Sequence, residues 1–354
     1  LTYGRELPKI LGVQEPNENA ADLATNGWEL SLSYNDSKEI SGSMLNFGAR
    51  FMLSDSYSKI TKFDNPNKRI TQFYEGMRMG EIWGLESDGL FKDAEEISKL
   101  DQTSIIPWGA LSIVPGWPKF VDQDKNGKIE KGYELGNTKD LKVIGNSTPR
   151  FNFGLDMNAS WKGFDIRAFF QGIGKRDYYP LDYLYWGVYQ QPYGNIYTHL
   201  LDFYRPTSDS EADRAKHSAS YLALGLADQN LDAKYPILQS WLADLNLGTR
   251  VDQSQGAAIP QTRYLLNAAY LRFKNLTIGY TLPNSWVEKA KVKNFRIYVS
   301  AENLMEWSAV KRYFDPEVLN INTYTDPNKT RRREGNGVMY PFQRSFSAGL
   351  QLNF

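Results

Sequence analysis

Between Asp122 and Glu130 the chain reads Asp-Gln-Asp-Lys-Asn-Gly-Lys-Ile-Glu, the spacing of the first nine positions of a calcium-binding loop. Hard divalent cations need several oxygens converging on one point. Asp122, Asp124 and Asn126 would offer side-chain oxygens, Gly127 the sharp turn and Lys128 its carbonyl. The pattern departs at its twelfth position, where Tyr133 stands in place of a bidentate glutamate. Glu134 falls one residue late, and Glu130 is the available substitute. The expectation is a structural Ca2+ or Mg2+ that stiffens a loop. The alternative is a plain Asn-Gly turn in a solvated acidic loop.

A second group of residues is aromatic. Tyr178, Tyr179, Tyr183, Tyr185, Trp186, Tyr189, Tyr193 and Tyr197 crowd one stretch, and Trp83, Trp108 and Trp117 lie in another. Flat rings with a polar tip stack on sugars, contact peptides or fill protein interfaces. They equally form membrane girdles or pack a loop against itself. Asp177, Asp182, Arg205, Glu211 and Arg214 are nearby candidates for polar contacts, which the sequence does not rank.

Catalytic chemistry finds no foothold. Gly172-Ile173-Gly174 lacks the third glycine and the helix of a dinucleotide loop. His199 and His217 are the two histidines, with no serine or aspartate signature around them. Cysteine is absent, which removes disulfides, thiolate metal sites and a thiol nucleophile. Arg331-Arg332-Arg333 reads as a solvated run, or as a contact for lipopolysaccharide. No catalytic residues are assigned, and the chain is expected not to be an enzyme.

The elements that must carry these residues are strands. Near the C-terminus Phe346, Ala348, Leu350, Leu352 and Phe354 fall on one face, with Ser347, Gly349, Gln351 and Asn353 on the other. A strict period of two, apolar against polar and ending on an aromatic, describes a strand between lipid and an aqueous lumen. The same alternation occurs in Trp28 to Tyr34, Leu45 to Leu53, Phe151 to Trp161, Phe164 to Phe170, Leu271 to Leu282 and Phe295 to Ala301. A change of parity at Lys274-Asn275 predicts a β-bulge. Asp36 to Gly42 and Lys162-Gly163 read as hairpin turns. The polar faces carry Arg50, Asp156, Arg167 and Arg296, which a soluble sandwich could hold only on solvated outer faces.

The 354 residues hold 41 Lys plus Arg against 41 Asp plus Glu, so no net field points to nucleic acid. Aromatics make up 14% of the chain, an excess that girdles and binding loops would use. No run of about 18 apolar residues exists to form a membrane helix. Connections alternate between short and long: Tyr74 to Pro149, Lys175 to Arg263 and Asp315 to Tyr340 are the long ones, with short helices expected within Glu211 to Leu245. Short turns at one end and long loops at the other suit the two ends of an outer-membrane barrel. About eight or nine strands are expected. Leu1 is not a start methionine, and an export signal is expected upstream.

Several stretches resemble one family. They include Thr2-Tyr3-Gly4-Arg5-Glu6-Leu7-Pro8, Gly27-Trp28-Glu29-Leu30, Asp88-Gly89-Leu90-Phe91, Tyr270-Leu271-Arg272-Phe273-Lys274-Asn275-Leu276, Glu302-Asn303-Leu304, Asp315-Pro316-Glu317 and the terminal strand. Together they are similar to the SusC/RagA family of TonB-dependent outer-membrane transporters over nearly the whole chain. The resemblance implies an all-β fold, the C-terminal part of a 22-stranded transmembrane antiparallel β-barrel with long extracellular loops. Residues 1–354 would all belong to the barrel, with the plug domain and the first strands upstream. It implies a multi-pass protein of the cell outer membrane that imports oligosaccharides or oligopeptides. Its partners would be a SusD-like lipoprotein lid, the TonB complex acting through an N-terminal region, and lipopolysaccharide, with a dimer of the SusCD pair as an assembly. Phe346, Leu350, Leu352 and Phe354 would form its assembly signal. A passive porin and a surface carbohydrate-binding sandwich are the rival readings.

Overall fold

A computed structural model describes residues 2–4, 17–19, 21–106, 111–181, 183–244, 254–288, 291–319 and 340–353. Seven strands form one antiparallel sheet in which sequence neighbours are spatial neighbours. They are β1 (Ala21–Ile40), β2 (Ser43–Phe63), β3 (Arg150–Trp161), β4 (Phe164–Lys175), β5 (Tyr270–Thr281), β6 (Asn294–Ser308) and β7 (Ser345–Asn353). The remaining strands form short two-stranded pieces, one ahead of β1 and the others in the long connections. No described helix is long and apolar enough to cross a membrane.

Turn chemistry sets the hairpins. Lys162 and Gly163 both take positive φ, the geometry of a two-residue turn whose twist matches its flanking strands. Ser41 and Gly42 do the same between β1 and β2. The first hairpin therefore differs from expectation: β1 continues in register to Ile40, opposite Ser43, and only two residues turn. The polar stretch from Asp36 hides this, because Asp36, Ser37 and Lys38 pair with Phe47, Asn46 and Leu45 as ordinary strand positions. The bulge at Lys274-Asn275 is present as a register shift between Phe273 and Asn275.

The register lines up two unlike faces. One row runs Ala348, Val299, Ile278, Ile166, Ala159, Phe47 across six strands. Nearer the turns, Trp161, Phe164 and Tyr280 stand side by side, with the last two rings 4.5 Å apart. The opposite face runs Ser347, Ser300, Thr277, Arg167, Asn158, Gly48. There Arg167 pairs with Asp156 at 2.5 Å, and Arg50 donates to the Ser31 hydroxyl at 3.2 Å. The apolar face is bare: Phe346 is 72% exposed and Leu32 57%. A sandwich would cover that face with a second sheet, and none lies on it among the described residues.

All three two-residue or helical turns lie at one end, including residues 282–293 with a helix at Asn284–Val287. The described parts of the connections 64–149, 176–269 and 309–344 lie at the other. The first hairpin overshoots toward this second end. Ser54 stands opposite Asn152, yet β2 continues about nine residues further to Phe63, roughly 30 Å. Gly76–Met79 pairs along that extension through Ile60 N to the Met77 carbonyl and Met79 N to the Ser58 carbonyl, each 2.9 Å. Buried apolar clusters lie in the long connections and bury almost nothing from the seven-stranded sheet.

Candidate functional site

The loop layer is built on the aromatics singled out in the sequence. Residues 183–186 form one helical turn, followed by Gly187–Tyr189 in a tighter one. This crowds the rings inward. Tyr185, Trp186 and Tyr189 are fully buried and Tyr178 and Tyr179 nearly so, packed with Trp117, Tyr235 and Tyr264. Trp186 meets Tyr264 edge-on at 5.0 Å and Tyr185 at 5.1 Å. Three of the buried polar tips find carbonyls: Trp186 Nε1 donates to Pro180, Tyr179 to Ala257 and Tyr189 to Pro236, at 2.7 to 2.9 Å. Burial lifts the Tyr185 and Tyr179 hydroxyl pKa values far above the ordinary tyrosine range.

These five rings are therefore the core of the loop and offer no surface in this arrangement. Tyr193, 75% exposed, presents its ring outward, and Trp83 is partly covered beside the Ile70 and Tyr74 cluster. The side chain of Tyr183 and all of Trp108 lie outside the described residues, as do Asp182, Arg331 to Arg333 and Phe354. Arg205 and Arg214 turn out to be braces. Arg205 donates to the carbonyls of Asp228, Leu201, Phe203 and Gly225. Arg214 pairs with Asp228 and donates to the Ala227 carbonyl. Glu211 opens a short helix capped by Ser210.

The acidic loop folds around its own carboxylates. Asp122 Oδ2 accepts from Gly127 N at 2.7 Å, and Asn126 Oδ1 accepts from Lys128 N at 2.8 Å. Burial raises the Asp122 pKa, but the amides of Gly127, Asn126 and Lys125 outweigh it and hold the carboxyl below the usual range. Asp122 and Asp124 converge with Asp140, whose ligand atoms lie within 4.8 Å of one another. Asp140 is buried and accepts from Gln123 N and Glu130 N, each at 2.7 Å. Burial lifts its carboxyl above the usual range, and the charges of Asp124 and Asp122 add to the lift. Glu130 lies 3.7 Å from Lys139, and Asp140 is the third carboxylate beside Asp122 and Asp124. The spacing pattern missed it because 18 residues and a hairpin separate Asp140 from Asp122. Asp122, Asp124 and Asp140 form a donor set of hard oxygens that could hold a divalent ion.

A third constellation went unranked in the sequence. Arg272, 2% exposed, pairs with Glu306 and with Asp315 at 2.7 Å, and its Nη1 lies 3.4 Å from Glu317 Oε1, an ion-pair distance without a hydrogen bond. Lys274 binds the other Glu317 oxygen at 2.6 Å. The Phe342 ring covers both cations at 5.3 and 4.6 Å, and its amide donates to Asp315. The chain after β6 is thus pinned to the polar face of the wall at its long-loop end.

No protein-family model matches the sequence. The chain is 26% identical over 376 residues to TonB-dependent receptor P3 of Formosa agariphila, with all of this chain aligned to 31% of that protein. It is 23% identical to TonB-dependent receptor P26 of the same organism, over 98% of this chain and 31% of the relative. The chain thus spans about a third of the length of these relatives. In structure it is similar to the RagAB peptide importer in its open-open state, with a TM-score of 0.62 and 21% identity over the whole of this chain and 31% of that one. The RagAB peptide transporter gives a TM-score of 0.60 at 22% identity. The all-β fold and the resemblance to SusC/RagA-like TonB-dependent transporters are both borne out.

Proposed function

We infer that this chain forms part of the barrel wall of a SusC/RagA-like TonB-dependent importer in the outer membrane. The observation that carries the reading is the pairing of faces and ends: a bare apolar face, a charged polar face, short turns below and ordered loops above. In such a wall the apolar face contacts lipid and the polar face lines the lumen. A lumen of this class needs a plug, contributed by a part of the protein outside this chain, and TonB would act through that part.

The loop layer captures an oligosaccharide or oligopeptide, with Tyr193 and the exposed rim of residues 184–197 as the surface offered to solute or to a SusD-like lid. The buried rings hold that surface in shape. Likeness to a peptide importer supports the oligopeptide arm. The Asp122, Asp124 and Asp140 cluster takes a divalent ion with a stiffening role. Nothing in the proposed function is catalytic.

The deciding experiment measures uptake by cells expressing the full-length gene, with and without TonB, supplying each solute class in turn. Uptake of one class that stops without TonB is expected. Passage that persists without TonB would install the passive porin instead. Release without detergent, with no heat-modifiable band, would install the soluble sandwich.

A further inference from the structure

At the long-loop rim of the wall, Tyr57, Arg78, Met79, Asn146, Thr148, Arg150 and Lys175 line a pocket of about 80 Å3. That is room for several water molecules, which suits a phosphate. We propose that this pocket binds the phosphate of an anionic glycolipid headgroup in the outer leaflet, through Arg78, Arg150 and Lys175.

Position is the first support. Tyr57 and Asp55 share the face of Leu53 and Phe51 on β2, the apolar face, and Asp55 stands opposite Trp28. From Trp161, beside the aromatic row at the turns, to Arg150 is the whole of β3, 12 residues. At about 3.3 Å per residue and a tilt near 40°, that climbs roughly 30 Å, against an apolar band of about 25 Å. Arg150 therefore lies at the upper boundary of the band, where lipid headgroups begin.

Charge is the second. Arg78 and Arg150 each stand 5.4 Å from the centre of the Tyr57 ring, and Lys175 is the cross-strand partner of Arg150. Asp55 binds Arg150 through both oxygens. The other acids nearby are engaged elsewhere. Glu81 accepts from the Tyr74 hydroxyl and Arg78 N, and Asp177 accepts from Asn146 N. Among the described residues, no carboxylate pairs with the Arg78 guanidinium or the Lys175 ammonium. Asn146 and Thr148 give their side-chain donors to the Met79 carbonyl. The pocket thus holds three cations against one acid, and an oxyanion supplies the missing charge. A guanidinium fork suits phosphate geometry better than a lone ammonium does.

The proposal rests on reading the sheet as a membrane wall, and the test separates the two. The full-length protein is purified in detergent, its folding is checked by heat-modifiability, and native mass spectrometry follows binding of diphosphorylated lipid A. Dephosphorylated lipid A and inorganic phosphate are run alongside. Retention of the phosphorylated lipid should fall roughly thirtyfold in Arg78→Gln/Lys175→Gln, which removes two cations that each contribute about 1 kcal/mol near a charged membrane surface. Arg344→Gln, an exposed cation at the start of β7, should leave retention unchanged. Equal retention by the folded double variant, or by dephosphorylated lipid A, would overturn the proposal. Displacement of the lipid by millimolar phosphate would also overturn it, assigning the pocket to free anions. Absence of a heat-modifiable band in the parent protein would instead defeat the wall reading itself.

Discussion

Arg296 on β6 reaches Asp165 on β4 across the intervening strand β5, and it does so because residue 279 is glycine. Its Nε and Nη2 lie 2.9 and 2.5 Å from the two carboxylate oxygens. A Cβ at position 279 would fall 2.5 Å from Asp165 Oδ1 and from Arg296 Nη2. Three strands are thereby tied by one ion pair on the polar face.

Gly279→Ala should displace this pair at a cost of about 1 kcal/mol or less, because both partners are long or mobile and partly hydrated. The heat-modifiability midpoint of the folded barrel measures the loss. Arg296→Gln should cost a similar amount, and the double variant should cost little more than either alone. Full additivity would mean that the glycine serves some other purpose.

Loop packing and ligand capture should separate by residue. Trp186→Ala removes a fully buried ring and should cost the loop layer about 3–5 kcal/mol. Limited proteolysis should then cut within 176–269 while the wall still assembles. Tyr193→Ala should leave proteolysis unchanged and weaken solute capture or lid docking. Uptake equal to that of the parent protein would remove Tyr193 from the surface that captures.

The acidic loop should respond to divalent ions through Asp140. The carboxyl's raised pKa means that its charge opposes folding of the loop above the ordinary carboxylate range. That opposition is relieved as pH falls through the raised value, or at neutral pH by a cation. Calcium titrated by calorimetry should bind at pH 7, weaken as pH falls toward the carboxylate range and fail in Asp140→Asn. Binding that survives Asp140→Asn but not Glu130→Gln would restore the loop pattern read from the sequence.

His199 makes the loop layer sensitive to acid. Burial lowers its pKa, and the positive charges of Lys234 and Arg312 lower it further, while a hydrogen bond to the Tyr185 carbonyl opposes them. The ring stacks on Tyr197 at 5.8 Å and meets Tyr313 edge-on at 5.0 Å. A base with a depressed folded pKa leaves stability intact above its ordinary value of 6.5. That stability drains as pH falls below it, where the unfolded loop takes up the proton first. Proteolysis of the 176–269 loop should therefore accelerate as pH falls below 6.5, and His199→Gln should flatten that step.

The wall was legible from residue order alone, because a period of two forces each strand's apolar and polar residues onto opposite faces whatever surrounds them. Lys162-Gly163 likewise announced its turn, since few sequences tolerate two positive φ values in succession. Which rings were surface and which were core was not legible. Tyr185 and Tyr193 belong to one tyrosine-rich run, and only contacts such as those with Tyr235 and Tyr313, far along the chain, buried the first and left the second out. Asp140 joined Asp122, and Asp315 joined Arg272, by the same kind of long-range closure. Local alternation fixes a strand's faces; the partners that a loop residue meets depend on where distant backbone returns, and that the tertiary structure alone decided.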